Sequence, residues 1–150
     1  MDKYFMKMAL NEAYKAYDID EVPIGAVVVK DNKIIGRGYN LREKSKDPTT
    51  HGEIIAIREA SKNLNGWRLI DCTIYVTVEP CPMCAGAILN SRIKRLVIGT
   101  DDPKMGACGS IIDITNNPKF NHSVDVTKGI LKEQCSNIMK TFFKNLRMKR

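Results

Sequence analysis

Residues 72–99, CTIYVTVEPCPMCAGAILNSRIKRLVIG, decide the fold. Cys72 to Val78 is a β-branched and aromatic run that reads as a buried strand. Pro80 follows it, and a helix is expected from Pro82 to Asn90. Arg95 to Gly99 then reads as a second strand. Strand, helix and strand in succession imply a parallel crossover, and a parallel sheet must be covered on both faces.

Working outward, residues 2–17 place Phe5, Met8, Ala9, Ala13 and Ala16 at helical spacing, which predicts an amphipathic first helix. Pro23 opens Ile24–Val29, a buried strand. Lys30 to Lys33 is turn chemistry, and Ile34 to Tyr39 returns as the partner of a hairpin. Leu41 to Thr50 is polar, contains Asp47-Pro48 and reads as a loop. It leads to His51 at the start of a helix carrying Ile54, Ile55, Ile57, Ala60 and Leu64. Residues 124–126 are a candidate fifth strand. A last helix near 129–147 is expected to bury Leu131, Cys135, Ile138, Phe142 and Leu146. The expectation is a three-layer α/β/α sandwich around a central, mixed, five-stranded sheet. With 150 residues, no repeat and no long linker, one domain spanning 1–150 is expected.

The residue budget excludes several classes. No apolar run approaches the roughly 20 residues of a membrane span, and the N-terminal segment lacks the apolar core of a secretory signal. Five cysteines form no regular disulfide framework, so a reducing cytoplasm is expected. Lys and Arg number 24 against 17 acidic residues, a net charge of +7 that favours a polyanionic partner. The C-terminal end concentrates this charge in Lys140, Lys144, Arg147, Lys149 and Arg150, with Phe142 and Phe143 between them.

Two short motifs carry the chemistry: His51-Gly52-Glu53 and Pro80-Cys81-Pro82-Met83-Cys84. Cys81 and Cys84 lie three apart at a helix start, on one face, where the helix dipole favours thiolate. Helix N-termini in parallel α/β folds gather beyond the carboxyl ends of the strands, so His51 and the two cysteines can converge on one ion. Three ligands and an open position describe a catalytic zinc site. Glu53, two residues beyond His51, diverges from the ligand direction and is free to act on a zinc-bound water. Two thiolates cancel the charge of Zn²⁺ and leave it a weaker acidifier of water, so a carboxylate base becomes more necessary. A thioredoxin-type reading of Cys-x-x-Cys leaves His51 and Glu53 without a role. A structural zinc site needs a fourth ligand from Cys72, Cys108, Cys135 or His122, none of which forms a second paired motif.

The residues resemble the zinc-dependent nucleoside and nucleobase deaminases, and within them the bacterial tRNA-specific adenosine deaminases. The resemblance runs from Glu21-Val22-Pro23-Ile24-Gly25-Ala26 through Pro48–Glu53, Tyr75–Cys81, Met83–Ala87 and Ser91-Arg92-Ile93. It continues in Asp102–Ser110, Asn121-His122 and Phe142–Arg147. It implies a cytidine deaminase-like fold and a homodimer with one zinc per subunit. It also implies conversion of the wobble adenosine of an arginine tRNA anticodon to inosine. In that chemistry zinc-bound hydroxide attacks C6 while Glu53 shuttles the proton.

The same resemblance marks Asn40, Ala85, Asp102, Lys104, Phe142 and Arg147 for the substrate. The Asn40 amide can donate to and accept from a purine edge. Asp102 is either a turn residue before Pro103 or an acceptor for a ribose 2′-hydroxyl, with Lys104 beside it for a phosphate. The basic, Phe-bearing end either binds RNA by charge and stacking or is a solvated helix face with Phe142 in the core.

Gly52 departs from the alanine usual between the zinc histidine and the glutamate, and His-Gly-Glu is similar to fungal-type cytosine deaminase. A small-molecule deaminase for cytosine, guanine or a nucleotide is therefore the second reading, and a zinc-stabilised RNA-binding module the third.

Overall fold

The computed structural model describes residues 1–149. The elements in order are α1 (Asp2–Asp18), β1 (Gly25–Lys30), β2 (Lys33–Tyr39), α2 (Arg42–Ser45) and α3 (Gly52–Leu64). There follow β3 (Thr73–Val78), α4 (Pro82–Asn90), β4 (Arg95–Thr100), β5 (Asp125–Lys128) and α5 (Lys132–Met148). All five strands share one sheet in the order β2-β1-β3-β4-β5. β1 is antiparallel to both β2 and β3, whereas β3, β4 and β5 are mutually parallel. The mixed five-stranded sheet and the three layers are as expected from the sequence.

Side-chain alternation builds both layers of core from the same strands. Ala26 and Val28 of β1, Ile74 and Val76 of β3, and Leu96 and Ile98 of β4 pack against Ala56, Ala60, Ala85, Ile88 and Leu89 of α3 and α4. The intervening Val27, Val29, Tyr75 and Val97 face Phe5, Met6, Ala9, Leu10 and Ala13 of α1 and Cys135 and Ile138 of α5. Each such apolar side chain contributes about 1.5–3 kcal/mol on burial. The sheet is thus held from both sides.

The hairpin turn is two residues long, Asp31 and Asn32, both with positive φ (51° and 61°). That geometry matches the right-handed twist of the flanking strands and suits Asp and Asn. Gly36 and Gly38 let α3 approach β2 closely. A Cβ on Gly38 would lie 2.2 Å from the Gly52 carbonyl oxygen, and one on Gly36 2.2 Å from that of Ala56.

The structure departs from the sequence reading in three places. The segment read as a loop at 41–50 contains the short helix α2. The last helix starts at Lys132 rather than 129, because Gly129 and Leu131 take positive φ (90° and 53°) that a helix does not accept. Leu146 is 38% exposed rather than buried, since helical phase gives the core side of α5 to Cys135, Ile138 and Phe142. Arg150 lies outside the described residues. Among those described, no helix is long and apolar enough to cross a membrane.

Candidate metal and catalytic site

β2 and β3 point the same way, so α3 and α4 both begin at one edge of the sheet. His51 immediately precedes α3 and Cys81 immediately precedes α4, each in extended backbone (φ −80° and −71°). Cys84 lies in the first turn of α4. This places His51 Nδ1 3.7 Å from Cys81 Sγ and 3.5 Å from Cys84 Sγ. The three donor atoms lie within 4.8 Å of one another, a spacing suited to one shared metal ion.

Among the described residues no fourth His, Cys, Asp or Glu joins this group. Cys72 and Cys108 are buried in the core, Cys135 packs on the opposite face of the sheet, and His122 Nε2 pairs with the Ile93 carbonyl at 2.9 Å. The five cysteines form no disulfide. The closed four-ligand alternative therefore has no fourth donor here.

The three donors shift one another's proton affinities through the hydrogen bonds between them. A hydrogen bond from Cys84 lowers the Cys81 thiol to about 4, against burial and with help from His51. Cys84 is pushed up by the proton it shares with Cys81 and by burial. His51 is raised, chiefly by its hydrogen bond to Cys81. A cation bound by thiolates and a neutral imidazole displaces such shared protons.

Glu53 is 3% exposed, and its Oε1 has no hydrogen-bond partner among the described residues. Burial pushes its carboxyl up to about 7, against its own backbone N–H and the nearby His51 imidazole. An unpartnered buried oxygen needs a water or ligand atom to satisfy it. A carboxyl near neutrality can both take and return a proton at physiological pH.

His51, Glu53 and Cys81 line a cavity of about 750 Å³. Asn40, at the end of β2, also lines it, and its Oδ1 accepts the Gly52 backbone N–H at 2.8 Å. That bond fixes the orientation of the amide and leaves its NH₂ group free as a donor. Glycine at 52 fits this junction. A Cβ there would stand 3.1–3.2 Å from the Ile24 and Gly38 carbonyl oxygens and Tyr39 Cα.

Asp102 and Lys104 reach the rim of the same cavity. Asp102 Oδ1 accepts the backbone N–H groups of Lys104 (3.0 Å) and Met105 (3.2 Å), so it does act as a turn residue. Arg147 and Lys140 form part of the wall.

Two expected substrate residues lie elsewhere. Ala85 is fully buried in the core under α4, because its helical phase turns it toward the sheet. Phe142 is 8% exposed and packs edge-on against Tyr17 with ring centroids 6.2 Å apart, so the core alternative is the one observed. Its neighbour Phe143 lines the cavity instead. The signal was present in the spacing: with 135, 138 and 142 inward, residues 136, 139, 140, 143 and 147 share the adjacent face, and all five line the cavity.

Arg42 and Glu79 also line it and were missed. Arg42 had no sequence signal, since α2 is anchored from a distance. The buried Glu21 carboxylate accepts the N–H groups of Glu43 (3.0 Å) and Lys44 (2.7 Å).

Comparison with known proteins agrees with this geometry. The MafB19-like deaminase family model matches residues 1–147. A tRNA-specific adenosine deaminase of Haemophilus influenzae is 51% identical over 97% of this chain and 85% of its own length. That of Bacillus subtilis is 46% identical over 99% of this chain and 92% of its own. A solved structure from a study of A-to-I editing by tRNA:A34 deaminases at the wobble position superimposes with a TM-score of 0.86 at 44% identity. It covers 90% of this chain and 98% of the other. A guanine deaminase from Nitrosomonas europaea shares the fold (TM-score 0.78, 23% identity, 93% of this chain and 83% of the other). By its sequence, its sheet order and its three converging donors, the chain belongs to the tRNA-specific adenosine deaminases.

Proposed function

We propose that this protein hydrolytically deaminates adenosine to inosine at the wobble position of a tRNA anticodon, with arginine tRNA as the substrate. The observation that carries the chemistry is the unpartnered Glu53 Oε1 beside His51, Cys81 and Cys84, at the floor of a cavity ringed by Arg42, Lys104, Lys140 and Arg147.

The donor set fits zinc. Bonds of about 2.3 Å to sulfur and about 2.0 Å to nitrogen in a tetrahedron put N and S about 3.5 Å apart, and the His51 to cysteine distances are 3.5 and 3.7 Å. One zinc would be held by His51, Cys81 and Cys84 and would supply the Lewis acidity that makes a water easier to deprotonate.

Glu53 takes the proton of the attacking water on its carboxylate. It returns that proton to the purine ring nitrogen, then takes the proton of the new C6 hydroxyl and passes it to the departing amine, so adenosine and water give inosine and ammonia. Asn40 donates to an acceptor on the purine edge and fixes the base. Asp102 accepts a ribose 2′-hydroxyl on the oxygen not used in its turn, which favours RNA over DNA. Lys104 and Arg147 meet phosphates, and Phe143 supplies the stacking surface first assigned to Phe142.

The exposed Ile111, Ile112 and Phe120 of the 101–124 segment support a homodimer with its contact there, which sedimentation measures. A tRNA substrate supports activity in the cytoplasm.

The deciding assay offers the zinc-loaded protein an anticodon stem-loop with a wobble adenosine and, separately, free bases and nucleosides. Ammonia is expected from the stem-loop. Release only from the free compounds defeats this reading in favour of a small-molecule deaminase.

A further inference from the structure

Glu79 is the last residue before the Pro80-Cys81 step. Its carboxylate is buried (3% exposed), and no ion pair among the described residues includes it. A buried carboxylate without a countercharge must be met by hydrogen-bond donors. Here four donors meet it. Oε1 accepts the Asp102 N–H at 3.1 Å and the Ser110 hydroxyl at 2.5 Å. Oε2 accepts the N–H groups of Cys108 at 3.0 Å and Ser110 at 3.1 Å.

Residues 101–110 contain no helix or strand, only one isolated bridge between Cys108 and Asp113. Their path is instead wrapped on this side chain. A Cβ on Gly106 would stand 2.5 Å from Glu79 Cδ and Oε2, so only glycine lets the loop pass. Two backbone bonds complete the clasp, Glu79 N–H to Thr100 O (2.8 Å) and Ala107 N–H to Pro80 O (2.9 Å). The clasped loop supplies Asp101, Asp102, Pro103, Lys104 and Met105 to the cavity, while Cys81 lies two residues beyond Glu79.

We infer that Glu79 is a positioning residue for the reaction: its carboxylate holds the substrate-facing segment 101–105 in register with the Cys81 end of the site. This rests on the reading that the substrate is RNA bound across that segment. A hydrogen-bond acceptor serving only the core would tie buried chain to buried chain. Glu79 ties a cavity wall to the site floor.

The test compares the zinc-loaded wild type with Glu79→Gln and Ser110→Ala on the anticodon stem-loop. Glutamine keeps the shape but turns an NH₂ group toward backbone N–H donors. KM is expected to rise about tenfold in Glu79→Gln, the factor set by losing one charge-assisted hydrogen bond, with kcat and metal content nearly unchanged. Hydrogen exchange at the amides of 102, 108 and 110 should quicken, while β3 and β4 amides do not. Ser110→Ala removes one donor of four, folds under milder demand, and should raise KM about threefold. Quickened exchange with an unchanged KM in either variant reduces Glu79 to a structural role and overturns the inference, as does a fall in kcat alone. Wild-type protein that leaves the stem-loop untouched defeats the proposed function instead; stem-loop affinity by filter binding then replaces KM, and equal affinity in wild type and Glu79→Gln overturns the inference.

Discussion

Asn40 Oδ1 accepts the backbone N–H of Gly52 at 2.8 Å, joining the end of β2 to the start of α3. The bond serves two purposes at once. It satisfies a buried amide at a helix start, and it orients the Asn40 NH₂ toward the cavity. An Asn40→Asp variant keeps the first purpose and loses the second. We expect its thermal stability to stay close to wild type while kcat/KM on the stem-loop falls at least about tenfold, the cost of one lost substrate hydrogen bond. Equal activity in Asn40→Asp would show that the NH₂ does not touch the base. Asn40→Ala should also destabilise by about 1–3 kcal/mol, because the Gly52 N–H is left unpaired.

Glu53 lies outside the three-donor cluster although it is only two residues from His51. Glu53→Gln should therefore retain the metal while losing turnover by a factor of about 10²–10⁴, the usual range for a missing general acid–base group. Elemental analysis and single-turnover kinetics on the same sample check both halves. Loss of metal together with activity would instead make Glu53 a ligand.

Phe142 and Phe143 are adjacent in sequence and opposite in role. Phe142→Ala removes a buried ring and should cost about 3–5 kcal/mol of stability. Phe143, 38% exposed at the cavity, should give the reverse. Its alanine variant unfolds near the wild-type temperature but binds the stem-loop more weakly by about 1–3 kcal/mol, the worth of one stacked base. Denaturation and filter binding on both variants separate the two.

Gly38 sets the height of α3 over the sheet. A methyl group there meets the Gly52 carbonyl oxygen at 2.2 Å and the Ala56 nitrogen at 2.7 Å, both backbone atoms that cannot rotate away. Gly38→Ala should cost about 1–3 kcal/mol or more as overpacking, and it should lower metal affinity because His51 moves with the helix. A competitive chelator titration reads the second effect, and unaltered affinity would mean that α3 shifts without its N-terminus.

Asp2 in α1 reaches across to β4, where Arg95 makes two bonds to its carboxylate at 2.8 and 2.7 Å and Tyr75 donates a third. The Arg95 guanidinium lowers the Asp2 carboxyl from 3.8 to about 2. A folded-state pKa below the unfolded one adds stability above about pH 4, lost as pH falls from there toward about 2. Both side chains remain about a third exposed, so screening leaves on the order of 1 kcal/mol. Asp2→Asn should remove that difference at neutral pH and converge with wild type near pH 2, as measured by urea unfolding across the range.

The local patterns carried most of the architecture. The continuous apolar and β-branched runs at 24–29, 72–78 and 95–99 were sufficient for these three strands. The spacing of His51, Cys81 and Cys84 was sufficient for the donor cluster, because helix starts after parallel strands meet at one edge. Those are properties of short segments, and sequence alone determined them.

What only the tertiary structure decided concerns groups whose partners are remote. Glu21 and Glu79 read as ordinary polar residues until the amides they accept, about twenty to thirty positions away, are in place. Arg42 faces the cavity only because of the first of these. The choice of Phe143 over Phe142 turns on the phase of α5 against α1, and the orientation of the Asn40 amide on a bond to another element. Periodicity and motif spacing report which face of an element is apolar and which ligands are near in sequence. They are silent on where a buried carboxylate finds its hydrogen bonds, because that depends on loops closed by long-range packing, and here those loops form the walls of the site.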